Sequence, residues 1–152
     1  MEAQREPSLT LATLDASTLR GATDATLVAW LDRALSLLEE RCEDDVLLAS
    51  LGSPLSRAVL RDAITTTLAV RLELETALSA LPPHARGNVG IVLAANVETA
   101  VVRPLVWALL ARNAVAVRPS SRRAGLAAPL LRALHDVDPT LARAVGLLEG
   151  SV

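Results

Sequence analysis

The chain has 152 residues, about one domain's worth, and at 51% hydrophobic and 21% charged it is too apolar for a disordered or low-complexity protein. Fifteen basic against 17 acidic residues leave a formal charge of −2, so no broad positive field draws a nucleic-acid backbone. Every basic residue is Arg, which excludes Schiff-base and P-loop lysine chemistry, and two Trp with no Phe or Tyr offer no stacking platform for bases.

The N-terminal residues Met1 to Glu6 lack the cationic start and apolar stretch of a signal peptide. From Asp24 to Arg41, the residues Leu27, Trp30, Leu31, Ala34, Leu35 and Leu38 recur at helical spacing, with charged residues between them. This predicts an amphipathic helix capped by Thr23 or Asp24. Asp44 to Leu51 reads as a second helix, stopped by Gly52, which takes the left-handed conformation without a Cβ clash. A third is expected to start at Ser53-Pro54 and to run through Leu60, Ile64, Leu68, Arg71, Leu72, Glu75 and Leu78 to Pro82-Pro83. Thr65, Thr66 and Thr67 are poor helix formers, so packing must carry its middle.

Beyond Gly87 the pattern changes. Val89 to Leu93 is a short continuous apolar run, the signature of a strand buried on both faces. A helix from about Val97 to Arg112 and a second short run, Ala114 to Val117, complete a βαβ unit with parallel strands and a right-handed crossover. Arg118 to Ser121 reads as a loop, Arg122 to His135 as a helix, and Thr140 to Leu148 as a further short helix. The apolar window from Ala100 to Val117 carries Arg103, Pro104, Arg112 and Asn113, too many interruptions for a membrane span. The expected organisation is a helical region over residues 1–86 and an α/β unit over 87–152.

In a parallel sheet, ligands bind where strands end and helices begin. Two loops meet that description. Ala94-Ala95-Asn96 is small enough for a ligand to approach its backbone, and the Asn side chain either caps a helix or donates to an oxyanion. Arg118-Pro119-Ser120-Ser121 offers a fixed cation and two hydroxyls, suited to ribose or phosphate. Cys42 stands beside Glu43, Asp44 and Asp45, carboxylates that raise a thiol pKa, so it reads as a small buried residue and not a nucleophile. His84 and His135 have no acidic or nucleophilic partner by spacing, and no metal-ligand pattern is present.

Taken in order, Gly87-Asn-Val-Gly-Ile-Val-Leu-Ala-Ala-Asn96, Pro104-Leu-Val-Trp-Ala-Leu-Leu-Ala-Arg-Asn113 and Ala114-Val-Ala-Val-Arg-Pro-Ser-Ser121 resemble the aldehyde dehydrogenase superfamily. They look most like its fatty acyl-CoA reductase branch. The resemblance implies N-terminal helices followed by the first βαβ unit of a Rossmann-type sheet. It also implies an NAD(P)-dependent oxidoreductase acting on a thioester or aldehyde. Asn96 stands at the family's oxyanion-hole asparagine, and Arg118 at a lysine that binds the adenosine ribose of NAD(H) or NADP(H). Arg in that place favours a 2′-phosphate. Ala94, Ala95, Pro119, Ser120 and Ser121 complete the cofactor loops, and Glu98 replaces a common Pro near the start of a helix.

The family's catalytic cysteine and glutamate lie further along a longer chain. The expectation is therefore an N-terminal portion, inactive alone, whose sheet needs a partner: the missing catalytic half, a paralogue or a second copy. A cytoplasmic location fits the single cysteine. The alternative is a non-catalytic assembly module derived from the same fold.

Overall fold

The computed structural model describes residues 14–82, 87–94, 97–120 and 125–148. A single helical turn, α1 (Ser17–Gly21), leads to α2 (Asp24–Arg41), where the Thr23 hydroxyl accepts the Thr26 backbone N–H at 3.1 Å. Asp24 in the first turn and Arg41 in the last complement the helix dipole. Leu27, Leu31, Ala34, Leu35 and Leu38 are buried as the period predicts, with Trp30 half-buried at the rim of the stripe. Asp44 caps α3 (Asp45–Ser50) by accepting the Val46 N–H at 2.8 Å, and Gly52 follows with φ +66°.

The next helix departs from expectation in two places. Ser53 accepts the Leu55 N–H at 3.2 Å in a local turn, which holds Ser53-Pro54 outside the helix. Ser56 is instead the cap of α4 (Arg57–Leu68). The helix also breaks: a 3₁₀ segment (Ala69–Glu73) separates α4 from α5 (Leu74–Ala80). The buried positions explain the break, because Leu60, Ile64 and Leu68 are four apart whereas Val70 follows after two. Tighter winding brings Val70 inward and leaves Leu72 outside, 79% exposed. Thr67 adds to the bend by donating its hydroxyl to the Ala63 carbonyl at 2.8 Å. Leu81, preceding Pro82, is extended and ends the run.

Three parallel strands follow, in the order β1 (Asn88–Val92), β2 (Ala114–Arg118), β3 (Val145–Leu147). The predicted strand–helix–strand unit is present, with α6 (Val102–Leu110) as its crossover. That helix is shorter than expected because residues 98–101 form turns, and Pro104 sits harmlessly in its first helical turn. The strand after α7 (Ala127–Val137) and α8 (Pro139–Ala142) replaces the predicted helix over Thr140 to Leu148. Asp138 caps one turn through the Thr140 N–H at 2.8 Å, after which Val145-Gly146-Leu147 pairs with β2. A β-branched residue and a glycine beside an open strand edge gain more from the ladder than from another helical turn.

Burial follows strand position. The four residues Ala114 to Val117 of the central β2 are buried, while β1 is an edge strand burying one face only, with Val92 79% exposed. The expectation that β1 is buried on both faces fails, since exposed and half-buried residues alternate along it and one face is left open; its outer edge also pairs with no strand among the described residues. Leu105 and Leu109 of α6 and Leu130 and Leu134 of α7 meet Leu31 and Leu35 of α2 at one cluster. The crossover helices therefore share one side of the sheet, as right-handed connections in this strand order require, and α2 covers them. The buried core runs continuously from the helical region into the sheet.

Candidate functional site

The C-terminal ends of β1 and β2 lie side by side, Val92 opposite Arg118. The ladder continues one step further, with the Leu93 N–H donating to the Arg118 carbonyl at 3.0 Å. The structure thereby brings together Ala94, which is exposed, and the half-buried Arg118, Pro119 and Ser120. Ala95, Asn96 and Ser121 lie outside the described residues, as does His84. An exposed small residue beside a cation and a hydroxyl provides backbone access, charge and a ribose-type donor at one sheet edge.

Glu98 is not in the first turn of a helix as expected, because α6 starts four residues later. It is 6% exposed, in a turn after β1, and its backbone carbonyl accepts the Leu126 N–H at 3.0 Å. Sequence reasoning missed this contact, although Gly125 ahead of an apolar helix was the visible signal of a tight approach.

Asn113, part of the pattern that carried the resemblance, lies at the other end of β2. Its Oδ1 accepts the Gly87 N–H at 3.1 Å, and its Nδ2 donates to the Ala108 and Ala111 carbonyls, each at 3.4 Å. It joins the end of α6 to the entrance of β1 and supports the sheet from the side opposite the candidate site.

Cys42 ends α2, 4% exposed, and burial first, then Glu39 and Glu43, push its thiol up to about 11. It is no nucleophile at neutral pH. His135 sits exposed in the last turn of α7, and its Nδ1 lies 3.5 Å from Asp136, an acidic partner the spacing did not suggest. Among the described residues no group of three or more His, Cys, Asp or Glu is arranged to hold a metal. A cleft of about 720 Å³ lies elsewhere, between α2 and the 3₁₀–α5 segment. Its one cation from that segment, Arg71, already faces Ser36 at 3.2 Å and Asp32 and Glu39 at 3.6 Å.

The fold is shared with parts of solved aldehyde-oxidising dehydrogenases. The chain is similar to an NADP-complexed glyceraldehyde-3-phosphate dehydrogenase from Methanocaldococcus jannaschii, with a TM-score of 0.78 at 14% identity, over 97% of this chain and 38% of that one. An NAD-dependent benzaldehyde dehydrogenase from Corynebacterium glutamicum matches with a TM-score of 0.68 at 21% identity, over 90% of this chain and 33% of that one. An NADP-dependent glyceraldehyde-3-phosphate dehydrogenase from Bacillus halodurans gives 0.74 at 16% identity, with the same coverage of 90% and 33%. The chain thus spans 33–38% of the length of these structures. No curated protein sequence matches it. The model of the acyl-CoA reductase (LuxC) family matches residues 28–151, and the chain belongs to that family.

Proposed function

We propose that this chain supplies the N-terminal helices and the first cofactor-binding edge of an NAD(P)-dependent oxidoreductase that acts on an acyl-CoA thioester or an aldehyde. The observation that carries the reading is the side-by-side ending of β1 and β2, with Val92 opposite Arg118 and the Leu93 N–H on the Arg118 carbonyl, in a chain of the acyl-CoA reductase family. Similarity to NAD- and NADP-dependent dehydrogenases of the same fold adds support. A dinucleotide fits these donors: the guanidinium of Arg118 pairs with ribose oxygens or a 2′-phosphate, and Ser120 and Ser121 contribute hydroxyls. Ala94 and Ala95 keep the approach free of bulk, and Pro119 stiffens the loop.

In this reading Asn96 hydrogen-bonds the thioester or aldehyde oxygen as it gains negative charge. Bound cofactor supplies hydride transfer. The nucleophile comes from a partner or from further protein, since Cys42 is buried with a raised pKa, and the isolated chain is inactive. The setting is cytosolic.

Calorimetric titration with NADPH tests the assignment. The chain binds weakly, and Arg118→Ala weakens binding at least about tenfold through loss of charge-assisted hydrogen bonds. Indistinguishable titrations of the two proteins, or no binding by either, overturn it.

A second reading, an assembly module, is favoured by the outer edge of β1, where Val92 is 79% exposed and no strand pairs among the described residues. Open parallel edges recruit further strands. In this reading the chain associates with a catalytic half, a paralogue or a copy of itself, and Val92→Lys blocks that association in sedimentation velocity. A concentration-independent monomer for the unaltered chain, alone and with its candidate partner, removes this reading.

A further inference from the structure

The segments that leave β1 and β2 meet again beyond the strands, in a backbone contact. The Leu126 N–H donates to the Glu98 carbonyl at 3.0 Å. Gly125, immediately before it, has φ +58°, and a Cβ built there stands 3.1 Å from that same carbonyl oxygen and 3.8 Å from the carbonyl carbon and Cα of Glu98. Two demands therefore fall on Gly125: a left-handed backbone, and an approach so close that any Cβ makes the Glu98 carbonyl give way by a few tenths of an ångström. Gly52 separates them, because its φ is +66° but nothing lies within 4 Å of the corresponding Cβ.

The contact is well buried, with Glu98 6% and Leu126 0% exposed. Glu98 lies four residues past Ala94 and Leu126 six past Ser120, so each stands shortly after one of the two site loops. Among the described residues, the ladder between β1 and β2 ends at Leu93 and Arg118. We infer that the Gly125–Glu98 approach is a latch that sets the spacing of Ala94 from Arg118, Pro119 and Ser120, and that Gly125 is a positioning residue for a ligand bound across them. The inference rests on the oxidoreductase reading, which puts a dinucleotide at that edge.

Gly125→Ala and Gly52→Ala separate the latch from ordinary destabilisation. Both force an L side chain into left-handed backbone and lower the melting temperature, but only Gly125→Ala pushes on the Glu98 carbonyl. Gly125→Ala is expected to weaken NADPH binding about tenfold, as misplaced binding groups do, while Gly52→Ala binds as the unaltered chain does. Amide exchange at Leu126, whose N–H donates to the Glu98 carbonyl, accelerates in the first variant and not in the second. Gly125→Asn tolerates left-handed backbone yet carries the same Cβ, so it serves if the alanine variant fails to fold. Equal NADPH affinity for the Gly125 variants and the unaltered chain overturns the latch. If the unaltered chain binds no NADPH, the oxidoreductase reading falls separately, and exchange decides the latch: unchanged protection of the Leu126 amide in the Gly125 variants overturns it.

Discussion

Arg112 holds a conformation that side chains rarely adopt, φ 60°, at the turn from α6 into β2. Its guanidinium returns to the start of α2, reaching Asp24 at 2.7 Å and the Ala22 carbonyl at 3.1 Å, with only 19% of the side chain exposed. The strain is offset by a bond between the helical layer and the sheet unit. Arg112→Ala keeps the strained backbone and loses the tie, costing about 2 kcal/mol, whereas Arg112→Gly relieves the strain and costs about 1 kcal/mol. Chemical denaturation of the two variants reads that difference, and equal losses would refute the strain. Cys42 supplies a second check. A thiol raised from 9.0 to about 11 favours the folded state while protonated, so stability falls as pH rises from 9 towards 11, where the unfolded thiol ionises first. Alkylation at pH 8 should proceed only as fast as the protein opens, and prompt labelling of the folded chain would contradict the burial.

At the scale of elements, the most informative departure is the break between α4 and α5. A continuous helix would place Leu72 on the same stripe as Leu68; the 3₁₀ segment buries Val70 instead. Val70→Ala is expected to cost about 1–2 kcal/mol for lost burial and packing. Leu72→Ala, at an exposed position, should change stability by less than about 0.5 kcal/mol. Thermal denaturation of both distinguishes the two helical phases, and a larger loss at Leu72 would restore the continuous helix. Periodicity alone could not find the break, because Leu68, Val70 and Leu72 are all apolar. The third strand was missed for a related reason: Val145-Gly146-Leu147 is too short to show a period. Its kinship with Val89-Gly90-Ile91 of β1 was the available clue.

Across the molecule, the ion pairs join layers more than they fill the core. Arg41 of α2 reaches Asp136 of α7, and this hydrogen bond, followed by that from His135, lowers the Asp136 pKa from its usual 3.8. Asp138, lowered chiefly by the Thr140 hydrogen bonds, and Asp15, lowered by Ser17, behave alike. For carboxylates with depressed folded values, the stabilisation is complete above pH 3.8 and is lost as pH falls through those lower values. The melting temperature should drop on acidification below about pH 4, and Asp136→Asn should flatten part of that drop. The effect is modest because the groups are exposed. An acid limb of unchanged depth in the variant would mean that the Arg41–Asp136 pair contributes nothing to it.

The sequence by itself determined the long amphipathic helix with its cap at Thr23 or Asp24, the parallel β1–α6–β2 unit and the family to which the chain belongs. These rest on local period, capping chemistry and short motifs, which neighbours in the chain express without help. It also pointed to Ala94-Ala95-Asn96 and Arg118-Pro119-Ser120-Ser121 as two loops at strand ends, since strand ends follow from strand assignment. Only the tertiary structure decided which strand lies at the edge, that a third strand forms, where the long helix breaks and that Glu98 meets Gly125. Each depends on which surfaces are already covered when the element docks, and that is set by residues tens of positions away.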